Sequence, residues 1–338
     1  MGYRVAVVGA TGAVGAELLN LLDERDFPAD EGVALASASS VGKEVSFGDR
    51  ATLKVKSLEE FDFDGIDIGL FSPGAAISAI HAPRAAAAGC IVIDNTSQFR
   101  MDEDVPLVVP EVNPEALAGF RERNIIANPN CSTIQMVVAL KPLHDIAPIR
   151  RVVVSTYQSA AGAGTAGMDE LFEHTKAIYM NDKKEPQVFN KTLAFNVIPQ
   201  IDVLVEDDYY REEWKMAVET KKILDPGIEV TATCVRVPVF VGHAEAVNVE
   251  FLEPLEIDQA REALMDFEGI VVVDDPGSYE FVTPLESVGE FAVFVSRLRI
   301  DRTVPHGLNM WVVSDNLRKG AALNAVQIAE TLITDGHL

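Results

Sequence analysis

The chain has 338 residues, 48% apolar and 24% charged, with 52 acidic against 28 basic side chains and a formal charge of −24. That length exceeds one ordinary hydrophobic core and predicts two domains, while the composition excludes a disordered chain. The acidic excess makes nucleic acid an unfavourable partner, because its phosphates are repelled, and no apolar run of about 18 residues supports a membrane span.

In chain order, Tyr3–Val8 reads as a strand, followed by Gly9-Ala10-Thr11-Gly12-Ala13-Val14-Gly15 and an amphipathic helix to Glu24. Glycines at 9, 12 and 15 form a variant of the dinucleotide fingerprint. Gly9 permits a tight turn, Gly12 lets a pyrophosphate approach the helix N-terminus, and Gly15 allows close helix–strand packing. Cofactor contacts are therefore expected at Gly9, Thr11, Gly12, Ala13 and Val14. The second strand, Val33–Ala36, ends in Ser37-Ala38-Ser39-Ser40-Val41-Gly42-Lys43. An NAD-selective fold places an acid there for the ribose hydroxyl. Ser39, Ser40 and Lys43 suit a 2′-phosphate instead and predict NADP; a solvated serine loop is the other use of the same residues.

A strand at Ile66–Phe71, an alanine-rich helix at Ala75–Ala88 and a strand at Cys90–Asp94 continue the alternation that specifies an α/β, Rossmann-like doubly wound sheet. Arg100 follows the last of these strands, on the edge where open sheets place ligands; a surface arginine fits the position equally well. A strand at Asn124–Ala127 then meets the turn Asn128-Pro129-Asn130, and Cys131 precedes the apolar helical run Ile134–Leu140. A cysteine at a helix start meets unpaired N–H groups and the positive dipole end, which favour thiolate. The same groups, with the Asn130 amide, would hold an oxyanion on a carbon bonded to the sulfur. A free cysteine is also an ordinary small core residue.

Beyond it, the strand Arg151–Gln158 ends in Ser159-Ala160-Ala161-Gly162-Ala163-Gly164, and helices are expected near 167–180 and 212–224. The stretch from Asp182 to Asp208 has little periodicity and is expected to wrap a surface or a subunit contact. Strands follow at 229–236, 244–252, 270–274, 291–300 and 308–314, with one helix near 258–267. Strands in succession suggest an α+β second domain on an open, largely antiparallel sheet. A helix from Leu317 to Leu332 is expected to pack back on the first domain. The domains are thus residues 1–130 with 317–338, and residues 131–316. Cys90, Cys131 and Cys234 lack metal-ligand spacing, and no secretory signal is read, so a reducing cytoplasm without disulfide or metal centre is expected.

Taken together, the glycine turn, Asn95-Thr96-Ser97, Asn128-Pro129-Asn130-Cys131-Ser132-Thr133, Ala194-Phe195-Asn196-Val197-Ile198-Pro199, Glu219-Thr220-Lys221-Lys222-Ile223-Leu224 and Arg236-Val237-Pro238-Val239 leading to Gly242-His243 resemble the aspartate-β-semialdehyde dehydrogenases along nearly the whole chain. The resemblance implies NADPH-dependent reductive dephosphorylation of L-aspartyl 4-phosphate to L-aspartate 4-semialdehyde. That reaction serves lysine, threonine, methionine and diaminopimelate biosynthesis. It implies Cys131 as the thioester-forming nucleophile, His243 as acid/base and Gln158 as the group orienting substrate at the cysteine. Arg236 would hold the substrate α-carboxylate, Glu219 its amino group, and Arg100 and Lys222 the phosphate. Ala161, Gly162 and Asn316 would be further cofactor contacts, and the assembly a homodimer or a dimer of dimers. Relatives often carry arginine before serine in the loop after the second strand, where this chain has Ser39 before Ser40.

The residue chemistry is compatible with these implications. Histidine titrates where a thiol needs a base, and Arg100, Lys222 and Arg236 would form a local anion site within an acidic chain. Two other functions share the design: an N-acetyl-glutamyl-phosphate reductase and a nonenzymatic NADP sensor. An acid at 219 suits a free ammonium and has no partner in an acetylated substrate. Cys131, Gln158 and His243 would have no use in a sensor.

Overall fold

The computed structural model describes residues 2–338. Its first strand, β1 (Tyr3–Val8), is buried from Val5 onward and feeds α1 (Ala13–Glu24), whose Leu18, Leu19, Leu21 and Leu22 are buried. Then come β2 (Ala29–Ala36), a small hairpin of β3 (Glu44–Phe47) and β4 (Ala51–Lys54), β5 (Lys56–Ser57), β6 (Ile68–Phe71), α2 (Ala75–Ala87), β7 (Ile91–Asp94) and β8 (Ile125–Ala127). The strands form one sheet in the order β5-β2-β1-β6-β7-β8, and every pair is parallel. The chain leaves β1 on one side for β2 and returns on its other side as β6. The glycine turn therefore lies at the carboxyl end of β1, at the switch point where such sheets bind ligands.

The second sheet grows from α3 (Cys131–Ile146), β9 (Ile149–Gln158), α4 (Gly164–Tyr179), α5 (Arg211–Ile223), β10 (Glu229–Arg236), β11 (His243–Phe251), α6 (Ile257–Asp266), β12 (Ile270–Val272), α7 (Pro284–Ser287), β13 (Val293–Asp301) and β14 (Gly307–Ser314). Its order is β10-β9-β11-β14-β13-β12. The expected largely antiparallel sheet is present, with two parallel pairs within it. The central pairs are antiparallel, but β9 with β10 and β12 with β13 are parallel. Helical connections cause this, since a crossover returns the chain in its original direction and a hairpin reverses it. The stretch expected to be irregular has only a short 3₁₀ turn, Glu206–Asp208, and its Ile198 exchanges both backbone hydrogen bonds with Arg236 at 2.9 and 2.8 Å.

Two compact units result: one ending at Asn130 and resuming at Ala321–Leu338, and the other spanning Cys131–Gly320. The second crossing was expected at 317. It falls later because Asp315 holds the intervening residues, its carboxylate accepting from the N–H of Leu317 (2.8 Å) and its carbonyl from that of Gly320 (3.1 Å). A π-helical turn, Arg318–Ala322, occupies what was expected to be the start of the last helix, and α8 begins at Leu323 and ends at Thr334. Within the first unit, Leu323, Val326, Ile328, Ala329 and Leu332 of α8 join the core of α1 and the parallel sheet. Arg25 forks onto Glu330 there at 2.8 and 2.7 Å.

Candidate active site

In the first unit, the turn after β1 is built from backbone. Gly9 has φ +86°, and a Cβ on it would lie 2.6 Å from the Ser72 carbonyl oxygen. A Cβ on Gly15 would lie within the Gly9 peptide, so α1 could not sit this close to the turn with any other residue. Around Gly12 the nearest atom to such a Cβ would be the Gly9 oxygen at 3.4 Å, which leaves the helix N-terminus open to approach. Thr11 and Gly12 are exposed, Ala13 and Val14 half-buried. Past β2, Ser37 and Ser39 pair through their hydroxyls at 3.0 Å, and Lys43 Nζ donates to the buried Ser40 hydroxyl at 3.4 Å. Open N–H groups, hydroxyls and an ammonium are a donor set that fits a nicotinamide dinucleotide.

Asp94 organises the next turn. Its carboxylate accepts from the N–H and hydroxyl of Thr96 (both 2.9 Å) and from Ser78 Oγ at 3.0 Å. Burial still raises its pKa above the ordinary carboxyl value. Arg100 is buried in the same unit and donates Nη2 to the Asn95 carbonyl at 3.0 Å. Asn130, also buried, is the last residue of this unit before the chain crosses.

In the second unit, side chains do the work. Cys131 is partly exposed and is the first residue of α3, the position the turn chemistry predicted. Gln158 ends β9 and Arg236 ends β10, and the two are register partners across the parallel pair. Antiparallel β11 starts where they stop, so His243, opposite Ser314 at the end of β14, shares their edge of the sheet. Strand direction thus gathers residues 158, 236 and 243 from positions far apart in sequence. Gly242 must be glycine: its φ is +94°, and a Cβ would lie 2.6 Å from the Pro284 carbonyl oxygen.

Each of these side chains is held. Gln158 accepts from Thr156 Oγ1 at 2.9 Å and donates Nε2 to Glu212 at 3.0 Å. Arg236 is buried, donates Nη1 to the Ser159 carbonyl at 2.7 Å and lies over the Phe189 ring at 5.8 Å. Desolvation lowers its pKa, while Glu212, Cys131 and Cys234 pull it back up, so it stands within electrostatic range of the nucleophile. A guanidinium remains charged there. His243 is fully buried, and Ser159 contacts its Nδ1 through both backbone N–H and hydroxyl at 3.1 Å. Desolvation, and then the charge of Arg236, push its pKa down to about 3. The expectation that it titrates near neutrality presumed a solvated ring, and burial removes that condition.

The remaining expected residues have the following places and partners. Glu219 and Lys222 are on α5, with Glu219 buried, and α5 packs against β10. Ala161 is held by its N–H to the Phe240 carbonyl at 2.9 Å. A Cβ on Gly162 would lie 2.6 Å from Arg236 Nη1 and 3.3 Å from His243 Nε2, so this glycine backs the two functional side chains. Asn316, expected to touch cofactor, is buried, and its Oδ1 accepts from Ser159 Oγ (3.0 Å) and Gly242 N (2.9 Å).

Sequence reasoning overlooked four groups. Glu212 ties Gln158 to Lys215, whose ammonium donates to it at 3.1 Å. Gly320 lies against the nucleophile: a Cβ there would be 3.0 Å from that of Cys131. Glu245 and Gln135 are fully buried, and burial raises the Glu245 pKa well above the ordinary carboxyl value, against a smaller lowering by the Gln135 side chain. Periodicity could have found these two, since 245 follows 243 on one strand face and 135 follows 131 on one helix face. Among the described residues no cluster of three His, Cys, Asp or Glu could hold a metal ion, and no helix is long and apolar enough to cross a membrane.

Comparison with known proteins agrees with this division. Residues 4–120 match the family model described as semialdehyde dehydrogenase, NAD binding domain, and residues 140–319 match semialdehyde dehydrogenase, dimerisation domain. The aspartate-semialdehyde dehydrogenase of Aquifex aeolicus is 53% identical over 340 aligned positions, covering 99% of each chain. The structure of aspartate semialdehyde dehydrogenase II complexed with ASA from Vibrio cholerae superposes with a TM-score of 0.97 at 52% identity, covering 99% of both chains. That of the Candida albicans enzyme with NADP does so with a TM-score of 0.76 at 26% identity, covering 100% of both. A glycine turn, a cysteine-led helix and a shared Gln-Arg-His edge, with full-length relatives at about half identity, establish that the chain belongs to the aspartate-semialdehyde dehydrogenase family.

Proposed function

We propose that this enzyme reduces L-aspartyl 4-phosphate to L-aspartate 4-semialdehyde through a thioester on Cys131. The observation that carries the reading is a cysteine on the first residue of α3 in the same unit as Gln158, Arg236 and His243 at one sheet edge. Helix N–H groups favour the thiolate, and Arg236 lies in its field. The thiolate attacks the acyl carbon, the carbonyl electrons move to oxygen and return, and the C–O bond to phosphate breaks. Phosphate departs carrying one proton from solvent, held by Arg100 and Lys222. Arg236 binds the α-carboxylate as a planar fork and Glu219 the ammonium, which disfavours an acetylated substrate. Gln158, pinned by Thr156 and Glu212, sets the acyl group at the sulfur.

A nicotinamide dinucleotide supplies the hydride when bound, and NADP is the preferred form because Ser39, Ser40 and Lys43 replace the usual acid after β2. Gly9, Thr11, Gly12, Ala13 and Val14 would hold its pyrophosphate, with Ala161, Gly162 and Asn316 toward the nicotinamide. The enzyme works in the cytoplasm as a homodimer. Helices α3, α5 and α6 pack on the second sheet, and Tyr157 and Trp311, with ring centroids 5.4 Å apart, belong to a sheet face open enough to meet a second copy. Purified enzyme given semialdehyde and NADP should sustain turnover only when inorganic phosphate is added. Phosphate-independent turnover would overturn the reading, and stimulation by N-acetyl-glutamate semialdehyde instead would favour the acetylated substrate.

A further inference from the structure

Two buried amides in the first unit have directions that the backbone fixes. Asn324, on α8, is fully buried, and its Nδ2 donates to the Val108 carbonyl at 3.0 Å and to Asn128 Oδ1 at 2.7 Å. Asn128, the first residue after β8, is also fully buried, and its Nδ2 donates to the Ala321 carbonyl at 3.1 Å and to Asn95 Oδ1. A backbone carbonyl only accepts, so Val108 and Ala321 keep both amides from turning over. Asn95, the first residue after β7, must therefore meet Asn128 with its oxygen. Its own backbone completes the link: the N–H donates to the Phe71 carbonyl at 2.8 Å, and the carbonyl accepts from Arg100 Nη2 at 3.0 Å.

The sheet gives this relay its place. Asp94 and Ala127 are register partners at the ends of β7 and β8, so Asn95 and Asn128 leave the sheet side by side at its carboxyl edge. Open α/β sheets bind ligands along that edge. A tie that served only the packing of α8 would end inside the core. This one ends on the half-buried Asn95, whose carbonyl holds a guanidinium.

We propose that Asn128 and Asn324 are positioning residues for the phosphate half of the reaction, holding the Asn95 peptide so that Arg100 meets inorganic phosphate with its guanidinium already in place. The proposal rests on the assignment of Arg100 to phosphate made above. Arg100 is buried, and a fork aimed by a fixed carbonyl loses less freedom on binding than one that must be ordered first. With the relay broken, the guanidinium keeps its charge but loses its aim. The loss then falls on phosphate, and the hydride step, which needs no phosphate, is spared.

The test is a double-mutant cycle on the KM for inorganic phosphate, measured with semialdehyde and NADP. Asn324→Ala should raise that KM by roughly 5- to 30-fold, the coupling of an ordinary buried hydrogen bond. The NADPH burst without phosphate, and NADP affinity by fluorescence titration, should stay within about twofold of the parent. In an Arg100→Ala background the same substitution should add less than about twofold, because it acts through that side chain. Asn128→Asp, which fills the same space and offers at most one donor, should give the same pattern and takes the place of Asn324→Ala if the latter does not fold. An unchanged KM for phosphate would overturn the proposal. So would effects that add to those of Arg100→Ala, or an equal loss in the burst, either of which marks a merely structural role. If Arg100→Ala itself leaves the KM for phosphate unchanged, the phosphate assignment fails and the relay with it. A large Arg100→Ala effect beside silent asparagine variants fails the relay alone.

Discussion

The two units build their candidate sites in opposite ways. In the first, the candidate surface is mostly backbone, a glycine turn and an open helix N-terminus, with the hydroxyls of a short serine loop, each made by neighbours in sequence. In the second it is side chains, the partly exposed Cys131 and the buried Gln158, Arg236 and His243, the latter three held by partners such as Glu212 and Ser159. A backbone site tolerates side-chain change and adjusts affinity by degrees. A buried polar site has no water to replace a lost partner, so each loss is felt in full.

The sharpest way to break this contrast is Cys131→Ala. It should leave dinucleotide binding intact, as read by fluorescence titration, while kcat falls on the order of 10³- to 10⁶-fold. Near-normal turnover would remove the nucleophile from the mechanism. Next in size, Arg236→Lys should cost about 2–5 kcal/mol in kcat/KM for semialdehyde, since an ammonium cannot reproduce the planar fork. Arg100→Ala should instead raise the KM for phosphate while preserving the phosphate-free NADPH burst. The reverse ranking would mean the carboxylate and phosphate ends are exchanged.

For the backbone site the expected effect is smaller and selective. Ser39→Asp, on an exposed position, should lower the NADP/NAD ratio of kcat/KM by roughly 10- to 100-fold through repulsion of the 2′-phosphate. Equal use of both cofactors by the unmodified enzyme would refute that reading of the loop.

The smallest effect concerns Glu245, buried beneath the second site. Its folded pKa is raised, so above the ordinary carboxyl range the unfolded chain releases a proton that the folded chain keeps. Stability is therefore lost as pH rises through that range. Glu245→Gln should raise Tm by a few degrees, about 2–8 °C, at pH 8 and make little difference at pH 4. A variant with lower Tm at both values would show that the carboxyl is ionised and paired.

Much of the molecule was legible before folding. The glycines at 9, 12 and 15, the serine loop, the Asn-Cys helix start and most strand bounds are local, since turn chemistry and periodicity act over a few residues. Gly242 before His243 was recognisable as a motif, but its reason, the Pro284 carbonyl, was not. The two parallel pairs of the second sheet escaped because pairing direction depends on which strands become neighbours, and the chain decides that only when it closes. His243 shows the limit most clearly. Its position was readable, but its protonation depends on complete burial, on Arg236 and on a peptide N–H some eighty residues away, |i−j| = 84. The amino-acid sequence by itself determined which groups could react and which stretches could turn. Tertiary structure alone decided their desolvation, their partners and their charge, because those properties belong to the space around an atom and not to its place along the chain.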